Sequence, residues 1–130
     1  GAVVFADEVA RRELESIIHP LVRERAEKIA SRAGENRIVI NQIPLLFETQ
    51  GASRFQLVIT VAASEELRRE RLRERGLKDY EISKRIAAQA TDEERASISH
   101  LVIKNNGTLD ELRRTVEEIW ERELLPRVAR

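Results

Sequence analysis

At 130 residues, with 23 Lys+Arg against 23 Asp+Glu, the chain has room for one domain with a real core and no net charge to draw it to nucleic acid or an anionic membrane. The absence of Cys excludes disulfides and thiolate chemistry, and the two histidines, His19 and His100, are too few and too far apart for a His-rich metal site. No apolar run reaches the length of a membrane span and no signal peptide opens the chain, so a soluble cytoplasmic protein is expected.

Asp7 is placed to cap a helix that carries Val9, Leu14, Ile17 and Ile18 on one face. Pro20 breaks or kinks that helix and opens a second, over residues 21–33, with Gly34 as its stop. Residues 37–42 cluster β-branched side chains and read as a strand, ended by Pro44, which has no N–H for a ladder. Residues 55–62 read as a second strand, apolar enough to be covered on both faces. Ser64 then caps a helix over residues 65–75 in which only Leu67 and Leu72 are uncharged. Gly76 ends it, and Asp79 caps the next helix, which runs through Ile82, Ile86 and Ala90. Thr91 with Glu94, and Thr108 with Glu111, have the spacing of capping boxes. Between them lie a third strand, residues 101–103, and a turn at Asn105-Asn106-Gly107; a last helix follows with Leu112, Val116, Ile119 and Trp120 on its core face. Strands alternating with helices predict an α/β sandwich built on a parallel sheet.

Three places could carry chemistry. Behind Pro44, the apolar Leu45, Leu46 and Phe47 with the carboxylate of Glu48 follow the end of a strand, where open α/β sheets hold ligands; the same run can instead tuck under the next helix. On the charged helix, Arg68, Arg71 and Arg75 share a face, either as a solvated surface supported by pairs such as Glu65–Arg69 or as a flap whose guanidinium groups close over phosphates. Arg85 and Gln89, four apart on the following helix, could join that site. Asn106 follows the third strand and offers an amide donor and acceptor suited to a purine edge, although Asn-Gly is also plain turn chemistry. His19 and His100 each read as a structural group or a minor catalytic candidate.

In this order, Ile43-Pro44-Leu45-Leu46-Phe47-Glu48, Glu70-Arg71-Leu72 with Arg75-Gly76-Leu77, Arg85 to Gln89, Asn106-Gly107, His19-Pro20 and Ile119-Trp120-Glu121 resemble the dephospho-CoA kinases over nearly the whole chain, in the style of the actinobacterial members. The resemblance implies an α/β fold with a P-loop kinase-like parallel sheet sandwiched by helices, helical CoA-binding and lid segments, and the first strands missing. It implies a single partial domain: residues 1–36 a helical CoA-binding region, 37–63 core, 64–99 lid, 100–130 core. The implied reaction is ATP-dependent phosphorylation of the ribose 3′-hydroxyl of dephospho-CoA. His19, Leu45, Leu46 and Glu48 would then meet the acceptor, and Arg71 and Arg75 would stabilise phosphate charge. Arg71, Arg75, Arg85, Gln89, Asn106 and Gly107 would meet ATP, with Asn106 at the adenine. Substrates are expected to be ATP and dephospho-CoA with Mg²⁺, without nucleic acid or membrane; self-association is left open.

Two departures stand against the pattern. Gln42 occupies the position before Ile43-Pro44 where the family usually has Asp, and an amide cannot orient a metal or a water as a carboxylate does. Nor does any glycine-rich loop ending in Gly-Lys-Ser/Thr occur, although phosphoryl transfer depends on such a loop to cradle the phosphates and hold Mg²⁺. The chain, which begins at Gly1 and contains no Met, therefore reads as the C-terminal two-thirds of such an enzyme, inactive alone, with the acceptor run and the flap facing one cleft. A non-catalytic CoA- or nucleotide-binding module and a helical interaction protein are the alternative expectations.

Overall fold

In the computed structural model, which describes residues 7–128, the Asp7 carboxylate accepts the backbone N–H groups of Val9 and Ala10 at 2.9 and 3.2 Å and starts helix α1, Glu8–Ala33. The expected break at Pro20 does not occur: α1 runs through it as one helix. Proline removes a single bond there, the one to the Ser16 carbonyl. Charged pairs four residues apart, Arg12–Glu8 at 2.8 Å and Lys28–Glu24 at 2.7 Å, support the helix on either side. Gly34, at φ +81°, takes the chain out of it.

Residues 37–42 form no strand. Their β-branched composition meets the intrinsic requirement, but a strand exists only as part of a hydrogen-bonded ladder, and no described segment pairs with them. Among the described residues the chain divides after Gln42: residues 43–123 make one compact unit, and residues 7–42 with 124–128 make another, which includes the short helix α6, Leu125–Val128.

In the unit of residues 43–123, a run of turns from Pro44 closes in a helix-stop motif. The Gly51 N–H reaches the Leu46 carbonyl, the Gln50 N–H reaches that of Phe47, and Gln50 sits at φ 54°. Gly51 is buried, and a Cβ there would stand 3.3 Å from Leu46 Cδ1 and 3.0 Å from the Arg54 guanidinium. A 3-10 turn, Ala52–Arg54, leads to β1, Ile59–Ala62. The crossover is helical throughout: α2, Glu65–Glu74; α3, Asp79–Ala88; and α4, Asp92–Ser97. It returns to β2, Leu101–Lys104, which pairs parallel with β1 in the register Ile59↔Leu101 to Ala62↔Lys104. Then α5, Leu109–Ile119, runs into a π-helical turn at Trp120–Leu124, so Trp120 lies just past the α-helix rather than in it. The mixed α/β fold with a parallel sheet and flanking helices is the one expected.

The second strand is shorter than its apolar run because only β2 pairs with it, and residues 55–58 precede the ladder. The Val58 carbonyl still accepts the N–H groups of His100 and Leu101, at 2.8 and 3.3 Å. Both capping boxes form, at Thr91/Glu94 and Thr108/Glu111. Asp79 does not cap α3. Lys78 takes that position without a side-chain bond, and the Asp79 carboxylate binds Arg73 at 2.6 Å instead. Charge-assisted pairing with an arginine wins over a backbone cap. Gly76, at φ +94°, makes the turn between α2 and α3, with the Leu77 N–H reaching the Leu72 carbonyl. The buried apolar residues among those described are Val58, Ile82, Ala90 and Ile103, so the core lies between the sheet and the helical crossover, with Ile82 fully enclosed.

Candidate functional site

The carboxyl end of β2 is where the polar groups gather. The ladder extends one step beyond the strands, because the Asn105 N–H donates to the Ala62 carbonyl at 2.6 Å. Arg71, half-buried in the second turn of α2, donates from Nη1 to the Asn105 carbonyl at 2.9 Å. Asn106 Oδ1 accepts the N–H of Ser64, the α2 N-cap, at 2.9 Å. Gly107 follows, and a Cβ on it would run into the Glu111 carboxylate that closes the α5 capping box. The sheet edge, α2 and residues 105–107 are thus joined by three bonds at one place.

The other expected residues fall around this point or elsewhere. Arg75 is the exposed C-cap of α2; Arg85 lies in the last turn of α3 and Gln89 is its C-cap, both exposed. Helix α3 is held to α2 by Arg73–Asp79 and by Arg69 Nη1 on the Ser83 hydroxyl at 3.0 Å. The Asp79 carboxylate raises the Arg73 pKa above its ordinary value, through its hydrogen bond first and its charge second.

Leu46 and Glu48 line a small cavity of about 70 Å³ with Phe47, Thr60 and Arg95. Leu45, half-buried, supplies the carbonyl that accepts the Thr49 hydroxyl at 2.7 Å. The β1 residues of that cavity belong to the first half of the strand, and Arg71 is not among its lining residues. His19 lies on α1, in the other unit, where with Arg12, Ser16 and Arg23 it lines an open hollow of about 570 Å³.

Several participants escaped the sequence reading. Asp92 sits between two arginines, 2.9 Å from Arg95 Nη2 and 3.5 Å from Arg68 Nη2. The Nε of both arginines is buried without a hydrogen-bond partner. The i, i+3 spacing of Asp92 and Arg95 was readable; the cross-link to Arg68 was not, because it depends on how α2 meets α4. Ser99 donates its one hydroxyl proton to the Arg95 carbonyl at 2.7 Å, so Thr60 must donate in the 2.5 Å contact between the two hydroxyls. His100 Nδ1 accepts the Val58 N–H at 2.9 Å, which places the ring proton of the neutral form on Nε2.

Among the described residues, no three or more His, Asp or Glu side chains gather as metal ligands, and no helix is long and apolar enough to cross a membrane.

Fold and site together define a class: an α/β protein whose helical crossover returns an arginine to the carboxyl edge of parallel strands, where open sheets of this kind hold ligands. A solved structure of TT1252 from Thermus thermophilus has the same fold, with a TM-score of 0.78 and 33% identity over 94% of this chain and 64% of that one. The family model for dephospho-CoA kinase matches residues 1–111, and the chain belongs to that family. It is 40% identical over 121 residues to the dephospho-CoA kinase of Frankia casuarinae, covering 93% of this chain and 53% of that protein. Against the dephospho-CoA kinase of Thermobifida fusca it is 38% identical over 122 residues, covering 93% and 61%. The chain therefore spans between about half and three-fifths of the length of these relatives.

Proposed function

We propose that these residues belong to an enzyme that transfers a phosphoryl group from ATP to the ribose 3′-hydroxyl of dephospho-CoA, the last step of coenzyme A synthesis, in the cytoplasm. The observation that carries this reading is the seating of Arg71 on the Asn105 carbonyl, beside Asn106 and at the sheet's carboxyl edge. In that setting residues 105–107 receive the adenine, and Arg71, Arg75 and Arg85 with Gln89 serve the nucleotide from the two crossover helices. Always charged and able to bind two oxygens at once, arginine suits that task. Leu45, Leu46 and Glu48 serve the acceptor, and His19 is assigned separately to substrate binding within residues 1–36. Residues 1–36 are the CoA-binding region and 64–99 the lid.

The chemistry also needs a phosphate cradle and Mg²⁺, which would neutralise charge on the transferred group. No Gly-x₄-Gly-Lys-Ser/Thr occurs among the 130 residues, so these residues bind and orient rather than complete the transfer. The expected outcome is that the 130-residue chain does not phosphorylate dephospho-CoA, and that joining a family phosphate-loop segment ahead of Gly1 confers ATP-dependent turnover. Turnover by the chain alone, or none by the joined protein when it is folded, overturns the reading.

A further inference from the structure

An amide that serves a purine edge from both of its ends must keep both ends free, and Asn106 does not. The Ser64 N–H is a donor, so the atom 2.9 Å from it must be the amide oxygen, which fixes the side chain's orientation. That oxygen is committed within the protein, while Nδ2 has no hydrogen bond to the described residues. Arg71 lies seven positions after Ser64, two helical turns along the same face of α2, and its side chain reaches the neighbouring carbonyl, Asn105 O. Two points of α2 are therefore fastened to two consecutive residues after β2, and the Asn105 N–H fastens those residues to Ala62.

We infer that Asn106 is a positioning residue that acts through Oδ1: by holding the Ser64 amide it fixes the root of α2, and with it Arg71, against the nucleotide-facing loop, and it does not read the purine edge through its amide. The inference deepens the proposed function and rests on it. It separates two roles that an Asn→Ala exchange removes together. Asn106→Asp keeps an oxygen for the Ser64 N–H, and a carboxylate suits the N-terminus of α2, but it has no Nδ2 protons.

The test is titration of the 130-residue chain with AMP, whose base and single phosphate probe this site without the triphosphate cradle, followed by NMR together with amide exchange at Ser64. The Asp variant is expected to keep a protected Ser64 amide and to bind AMP within about twofold of the parent, whereas Asn106→Ala exposes that amide and weakens binding about fivefold or more, the size of one lost hydrogen bond. Equal weakening in both variants, with Ser64 still protected in the Asp form, overturns the inference in favour of direct base reading. Unchanged exchange and affinity in the Ala variant overturns it as well. If the parent binds no AMP, the nucleotide reading falls and takes the positioning role with it, while Ser64 exchange still reports whether the fastening exists.

Discussion

Arg71 is the side chain on which local structure and proposed chemistry meet. Its guanidinium has five donors, and the Asn105 carbonyl uses one of them, so a hold on the sheet edge and a contact to a nucleotide are compatible. Arg71→Ala in a protein carrying a phosphate loop is expected to lower kcat/KM about 10²-fold, the scale of a lost preorganised charge contact. Arg71→Lys should recover only part of that loss, because an ammonium lacks the planar fork; full recovery in steady-state assays would show that charge alone suffices. Backbone demands can be read equally closely. Gly76 sits at φ +94° with open space around it, so Gly76→Ala has room for its methyl group but not the conformation. Chemical denaturation should record a loss of about 1–2 kcal/mol. Gln50, at φ 54° in the corresponding position after Phe47, is the mirror case. Gln50→Gly should gain up to about 1 kcal/mol, and no gain would mean that the glutamine side chain compensates its own strain.

At the scale of elements, helices were legible and strands were less so. The caps at Asp7, Ser64, Thr91 and Thr108, and the stop at Gly76, depend on groups within a few residues of one another, so local sequence was sufficient. Residues 37–42 have strand composition without a strand, since pairing is decided by a distant segment and no described segment supplies it. The same logic limits the site: the spacing of Arg71 was visible, but its contact with Asn105, 34 residues away, was not. Pro20 failed as a helix breaker because it acts as a local penalty against a 26-residue cooperative helix, in which one lost bond does not outweigh the turns on either side. That penalty should be measurable. Pro20→Ala is expected to raise the helical circular dichroism signal and to stabilise α1 by about 2–3 kcal/mol, less whatever the pyrrolidine ring contributes to packing. A decrease in helicity would mean that the proline is required where it stands.

For the molecule as a whole, the balance between covered and open apolar surface decides how the chain behaves in solution. The sheet of the described residues has two strands, each paired along one edge only, and a two-stranded sheet is marginal without support from helices. Ile82 provides much of that support: it is fully buried on α3, and Ile82→Ala should cost about 2–5 kcal/mol, enough to unfold a unit of this size. Support for the core does not cover the strands' open sides, however. Val61 in the middle of β1 is 58% exposed and Val102 on β2 is 43% exposed, both next to unpaired backbone groups. An exposed β-branched strand with a free edge is a template for pairing with another chain, and a charged side chain on it opposes that pairing through desolvation and repulsion between copies. Val61→Lys therefore should reduce concentration-dependent light scattering of the 130-residue chain while leaving its denaturation midpoint nearly unchanged, because a side chain already in water loses little packing. If scattering is unaffected while Val102→Lys abolishes it, association proceeds through the β2 side; if neither exchange changes it, the strands are not the adhesive surface and the apolar face of α5, with Val116 at 47% exposure, becomes the one to charge next.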